Sequence, residues 1–469
     1  MTLLAKPFSL GKEHALLTLL ALLASVPVWL SPLPLGADIP QHAAQISLLL
    51  DHFSTRTWAQ DIYLNYLTPY LLTYFVGALL ALVVGTITSV KILISVSLAG
   101  LVLASARLLK QYGCDPKLAI FSIFGLYGFS YQWGFLPFNL SAVFMLLLLA
   151  EMQLTSQTHR IHLIRCLSIA LAIVLTHGLT AVVMAGIILM LTLAETQRLL
   201  RLRNYSLVLM LLLPVAAWQL LADTGVQGFG SGIYFGIHPF FSPYAYYQEL
   251  SSLNPQYING WGRWSGFFPR ILGWENGTGA LGVGLALMLS PFLFGYRLNY
   301  RRKPWLLFAL LLAVLLIMPS VINGSLYSAE RFSLLFFCLF PLLFMAPVQK
   351  RPSLLPCLIL AVSIFFAVQI DKVRSYAHHL ASLVSALPTL PEGQRALSLT
   401  YSYKADGFIA PIYLHSGQWY GVLKNGLVDP NFAATDLQPL RYHRQRLPFA
   451  TIGNGFDWSP SPYTWQDFQ

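Results

Sequence analysis

Asp38 and His42 stand four residues apart in Gly36-Ala37-Asp38-Ile39-Pro40-Gln41-His42, directly after the first long apolar run of the chain. A carboxylate held at bilayer depth costs roughly 3 kcal/mol or more unless it is hydrated or paired, so an acid in this place marks a functional site by default. A carboxylate can accept the proton of an attacking hydroxyl. If a helix starts at Pro40, His42 shares a face with Asp38 and can orient either the acid or its substrate. The competing reason for an acid here is capping, since Asp followed by Ile-Pro is also a good helix N-terminus.

Glu330-Arg331 opens another apolar run and offers a second charged pair. Arg331 presents a planar fork of donors suited to a phosphate, although the two charges could also neutralise each other at a helix end. Between Gly225 and Glu275 the chain is crowded with aromatic residues, Trp264 among them, interrupted by Arg263 and Arg270. Rings at this depth serve as interfacial anchors, or they stack on sugar faces and isoprenes while Arg263 or Arg270 meets phosphate. A segment of about fifty residues is longer than anchoring requires. His177, between two apolar runs, and Asn139, in Phe138-Asn139-Leu140, are further candidates for substrate binding, with helix-end hydrogen bonding as the plainer role.

Other chemistries lack support. The C-terminal hundred residues hold no GxGxxG, GxxxxGK[ST] or GxSxG, and Cys114, Cys166, Cys338 and Cys357 form no CxxC. His378, His379 and His415 lack partners at metal-ligand spacing. No cofactor is required by these residues, and a divalent cation remains compatible with them.

The elements that must position these residues follow from composition. With 56% hydrophobic and 10% charged residues and a mean hydropathy of +0.62, the 469 residues form an all-α polytopic membrane protein. The net charge of +11 lies in short clusters between apolar runs, the pattern of a topology signal, which argues against a nucleic-acid partner. Runs near 14–31, 91–108, 117–132, 138–153, 163–177, 179–195, 205–222, 277–296, 305–321, 332–348 and 354–370 give about 11 transmembrane helices. The run 69–84 is read as lying in or dipping into the outer leaflet. The clusters Lys6/Lys12, Arg107/Lys110/Lys117, Arg160/Arg165, Arg198/Arg201/Arg203, Arg297/Arg301/Arg302/Lys303 and Lys350/Arg351 then share one side with only Glu13, Asp115, Glu151 and Glu195 among the 18 acids. That side is cytoplasmic by the positive-inside rule. The chain is expected in a plasma membrane, the bacterial inner membrane, with its N-terminus inside and its C-terminus outside. Residues 1–371 form the transmembrane domain, with external loops 31–90 and 222–276. Residues 372–469 form a small C-terminal α/β domain outside, with strands over Ala396–Tyr403 and Leu427–Ala433 flanking a helix over Ile409–Lys424.

Three stretches carry a family resemblance: Asp38-Ile39-Pro40-Gln41-His42, Gln132-Trp133-Gly134-Phe135-Leu136-Pro137-Phe138-Asn139, and Tyr413-Leu414-His415-Ser416-Gly417-Gln418-Trp419-Tyr420. With the overall architecture, they resemble bacterial membrane proteins of the GT-C superfamily of glycosyltransferases. The chain departs from better-known members in having no second acid beside Asp38 and Thr68-Pro69-Tyr70 in place of a Pro-Pro pair. The resemblance implies transfer of a sugar from a polyprenyl-phosphate donor to a glycan, lipid or protein acceptor on the external face, among membrane lipids, with Asp38 as base. A polysaccharide polymerase or ligase would share the aromatic loop. A lipid-linked substrate flippase would place charge at the bilayer midplane on broken helices. A noncatalytic assembly protein would keep only the shape.

Overall fold

Every apolar run read from the sequence is helical, in whole or in part, where the computed structural model describes it. The described residues are 12–154, 160–194, 205–214, 264–318, 320, 327–347, 352–435 and 438–446. The first run breaks at Ser25 into α1 (Lys12–Leu23) and α2 (Val26–Trp29), with Pro27 inside the second piece. Helix α3 (Ile39–Phe53) follows, then α4 (Leu71–Val84) and α5 (Thr86–Gln111). The run 117–132 is the most broken. A 3-10 segment, Pro116–Ser122, leads into α6 (Ile123–Leu126) and, past Gly128, α7 (Phe129–Gln132). Helices α8 (Leu136–Leu154), α9 (Arg160–Thr176) and α10 (Gly178–Leu193) complete the first half.

Three described helices are long and apolar enough to cross a membrane, Thr86–Gln111, Leu136–Gln153 and Leu355–His379. At 1.5 Å per residue α5 reaches about 39 Å, beyond the roughly 30 Å hydrocarbon core. Gly100 of α5 lies against Val143 of α8, and Arg107 bonds Glu151 a few residues on, so the two helices run in the same direction. Helix α4 turns at Gly85 and folds back along α5, with Ser89 Oγ donating to the Gly77 carbonyl at 2.6 Å. It exposes Leu79, Leu82 and Val83, and at about 21 Å it is shorter than the hydrocarbon core.

The C-terminal residues hold less regular structure than their pattern predicts. The strand expected over 396–403 shrinks to β4 (Arg395–Leu397), and the helix expected from Ile409 begins only at Gln418 and ends at Lys424. Residues between them close short turns, such as Leu414 N–H to the Pro411 carbonyl at 2.9 Å, which leave no i→i−4 ladder. The strand expected over 427–433 stops at Asp429 as β5 (Leu427–Asp429), because Pro430 has no N–H to donate. Strands β4 and β5 pair in parallel, and within the helical body β2 (Arg297–Leu298) pairs antiparallel with β3 (Phe344–Met345). In the first loop, β1 (Ile62–Leu64) pairs antiparallel with β6 (Leu440–Tyr442), which ties the end of the described chain to the loop that carries Asp38.

Candidate functional site

Two glycines set the position of Asp38. Gly36 (φ +142°) and Gly134 (φ +76°) approach so closely that a Cβ on Gly36 would lie 2.9 Å from the Gly134 Cα, and one on Gly134 would lie 2.9 Å from the Ile39 nitrogen. Only glycine adopts such backbone at little cost. The close approach lets Ala37 N–H donate to the Gln132 carbonyl at 3.0 Å and Asp38 N–H to the Trp133 carbonyl at 2.8 Å. The acid is thus pinned to the turn between α7 and α8. It stands at the N-cap position of α3, yet its side chain makes no capping hydrogen bond. The carboxylate is not spent on the helix.

The third stretch from the sequence arrives at the same point. His415 Nε2 lies 3.5 Å from Asp38 Oδ1. Its loop is held by α3, whose polar face makes five contacts to the C-terminal segment. Gln41 donates to the Pro430 carbonyl (2.9 Å), accepts from Phe432 N–H (3.0 Å) and meets His415 Nδ1 (3.4 Å). Gln45 donates to Asn431 Oδ1 (3.3 Å) and accepts from Leu440 N–H (3.3 Å). Gln132 accepts from Ile409 N–H at 2.9 Å and donates to the Gly273 carbonyl at 2.8 Å, joining the second stretch to the segment that leads into the third.

His42 is engaged differently from the orienting role its spacing implies. Its Nδ1 lies 2.7 Å from the Tyr74 hydroxyl, which donates to Gln438 Oε1 at 2.9 Å. The imidazole that meets the acid is His415, and Phe432 sets its edge against both rings, with centroids at 5.5 Å from His42 and 5.9 Å from His415.

Arg331 closes the other side. Its guanidinium sits 3.8 Å over the centre of the Phe135 ring, and Nη1 lies 3.3 Å from His177 Nε2. The Tyr70 hydroxyl meets the same nitrogen at 3.4 Å. Glu330 is buried and accepts from Ser320 Oγ at 2.5 Å. Asn139 locks the α7–α8 turn, accepting from Ser130 Oγ at 2.6 Å and donating to its carbonyl. Arg270 is buried in the short helix Phe267–Leu272, whose backbone packs on Gly128, and Trp264 is largely exposed. Arg263 and most of the aromatic loop lie outside the described residues.

Burial dominates the electrostatics. It pushes Asp38 up to about 7, and the Arg331 charge offsets only part of the rise. Burial lowers His42 to about 3, helped by Arg331 and His415 and opposed by a Gly134 backbone hydrogen bond, and lowers His415 to about 3. Both imidazoles are therefore neutral near pH 7, and the Asp38–His415 contact is not a pair of full charges. Asp38 itself is poised between acid and base, the condition under which a carboxyl group is most useful as a general base at neutral pH. Among the described residues, no group of three or more His, Cys, Asp or Glu could hold a metal ion.

The sequence brought forward Asp38, His42, His177 and Arg331, and the structure gathers them. Tyr70, Tyr74, Phe135 and Gln41 carry no site role in the sequence reading, and His415 enters it only as a metal-ligand candidate and within the third resemblance stretch. No protein-family model, curated protein or solved structure matches the chain.

Proposed function

We propose that the protein is an integral membrane glycosyltransferase of the GT-C kind, moving a sugar from a polyprenyl-phosphate donor to an acceptor on the extracytoplasmic face. The observation that carries this reading is the Asp38 carboxylate, free of its capping role, poised near neutrality and within the electrostatic reach of Arg331 at one end of the helical body. In the reaction the acceptor hydroxyl attacks the anomeric carbon and passes its proton to Asp38. The carbon–oxygen bond to phosphate breaks, and the lipid phosphate leaves with the electron pair, stabilised by the Arg331 guanidinium. Beyond Arg331 the chain continues into Phe332, Leu335 and Leu339, which line an apolar cavity with Leu149, Val183 and Leu311.

The proposal includes the eleven-span topology, which sets Asp38, His177 and Arg331 at external helix ends and the basic clusters at internal ones. Residues 372–469 then lie outside, as an α/β unit that helps to receive the acceptor. With cysteine placed singly at 303 or 404, an impermeant thiol reagent should label 404 alone in intact cells. Labelling of 303 but not 404 would invert the topology and remove the proposed chemistry from the external face. The function is tested with purified protein in detergent, radiolabelled polyprenyl-phosphate sugars and membrane acceptors. Conversion of donor to lipid phosphate plus glycosylated product, lost in Asp38→Asn, is the expected result. Binding of such lipids with no turnover, unchanged by Asp38→Asn, would leave a noncatalytic protein of the same shape.

A further inference from the structure

The amide of Gln41 has a fixed orientation. Its oxygen accepts from Phe432 N–H and its nitrogen donates to the Pro430 carbonyl, so the two ends cannot be exchanged without losing both bonds. The nitrogen has a second hydrogen, and it faces His415 Nδ1 at 3.4 Å. His415 Nδ1 must then be the acceptor, which leaves the ring proton on Nε2, the nitrogen that faces Asp38 Oδ1 at 3.5 Å. That distance is a few tenths of an ångström beyond a good hydrogen bond, as catalytic contacts often are before substrate closes the site.

We propose that His415 is a positioning residue for Asp38: held by Gln41 in its Nε2–H tautomer, it donates to one carboxylate oxygen, favours the ionised form and leaves the other oxygen to take the acceptor's proton. The inference rests on the reading of Asp38 as the base, and it deepens that reading by giving the base a dedicated partner from the C-terminal segment. No proton passes to His415, because its facing nitrogen already carries one. The other groups acting on this pair are Arg331, whose charge also favours ionised Asp38, Tyr74, which feels the Asp38 charge, and His42. Phe432 seats the His415 ring from the side. A neutral donor to a buried carboxylate lowers its pKa, so removal of that donor has a defined sign.

The test reads Asp38 itself, by the infrared carboxyl stretch of purified protein titrated without substrate, the Asp38 band being assigned by its loss in Asp38→Asn. His415→Phe keeps a ring against Phe432 but has no donor, and His415→Gln places an amide N–H near the position of Nε2. The Asp38 midpoint should rise by about one unit in His415→Phe and return to within a few tenths of native in His415→Gln. In the transfer assay, kcat should fall about tenfold in His415→Phe with KM little changed, and its acid limb should move up with the infrared midpoint. Equal Asp38 midpoints in native and His415→Phe protein, or equal displacement in both variants, would reduce His415 to a packing residue. A protein that shows the infrared shift but no transfer keeps this pair and loses the proposed function, so the two ideas fail separately.

Discussion

The helical body has two polar ends, and they differ in how their charges are satisfied. Near the C-terminal ends of α5 and α8, Glu151 is buried with both carboxylate oxygens occupied, one by Arg107, whose Nε finds no partner among the described residues, and one by His162 at 3.5 Å. Beside it, Arg301 donates to the Tyr112 carbonyl, Asn299 to the Leu342 carbonyl, and Tyr296 to Asp115. These contacts join chain segments far apart in sequence and need no ligand to make sense. At the opposite end Asp38 has no capping bond and one loose imidazole neighbour, while buried Glu330 Oε2 and His177 Nδ1 find no hydrogen-bond partner among the described residues. Buried polar atoms left in that state cost about 1–3 kcal/mol each. One end is built to hold the fold together, and the other keeps groups that would be easier to place elsewhere. Such a cost is tolerated where the groups act.

The sharpest way to break this contrast is at Asp38. Asp38→Asn preserves size and the option of capping while removing the base, so transfer should fall by on the order of a hundredfold or more. The folded yield should be unchanged. A variant that retains native activity would make the site end as purely structural as the other. Arg331→Lys comes next. An ammonium cannot make the bidentate contact or lie flat on Phe135, and the donor KM should rise about tenfold with a smaller change in kcat. An unchanged KM would take Arg331 away from the phosphate.

Glu151→Gln probes the other end. It removes a buried charge whose cationic partner is half exposed and can turn to water, so the cost is about 2 kcal/mol rather than the larger penalty of a fully buried pair. At roughly 1 °C per kcal/mol for a chain of this length, the thermal midpoint should fall by about 2 °C. Activity per folded molecule should stay at the native level. Loss of activity without loss of stability would erase the distinction between the two ends.

How far the sequence could foresee this site depends on whether each residue's signal is local. Apolar runs declare helices because burial in lipid or protein demands satisfied backbone, and an acid beside such a run is conspicuous. Asp38 and Arg331 were visible for that reason. His415 was not, because 374 residues separate it from Gln41 and nothing near it in the chain announces a carboxylate partner. Tyr70 and Tyr74 lay inside an apolar run read as membrane contact. Their four-residue spacing puts them on one helical face, which was the available signal. In the C-terminal segment, helical pattern alone runs over the turn-forming Pro411, and alternation alone runs past the missing donor of Pro430. Strand β6 pairs with a strand of the first loop, a long-range choice that no local pattern encodes.

A pH difference separates charge from packing at the site. Folded Asp38 holds its proton up to about 7, whereas an unfolded aspartate releases it near 3.8. Between those values the folded state binds more protons, so this group's contribution to stability declines as pH rises from about 4 to about 7 and is level above. His415 acts in the other direction. Its folded value near 3 lies below the unfolded 6.5, so its contribution is present above 6.5 and is lost as pH falls toward 3. Both slopes are present in the native protein, but Asp38→Asn removes only the first. The thermal midpoint of Asp38→Asn minus that of the native protein should therefore increase with pH across the window from 4 to 7, by up to about 4 °C, and stay constant at higher pH. A difference that is flat across the window would mean that Asp38 is ionised throughout it.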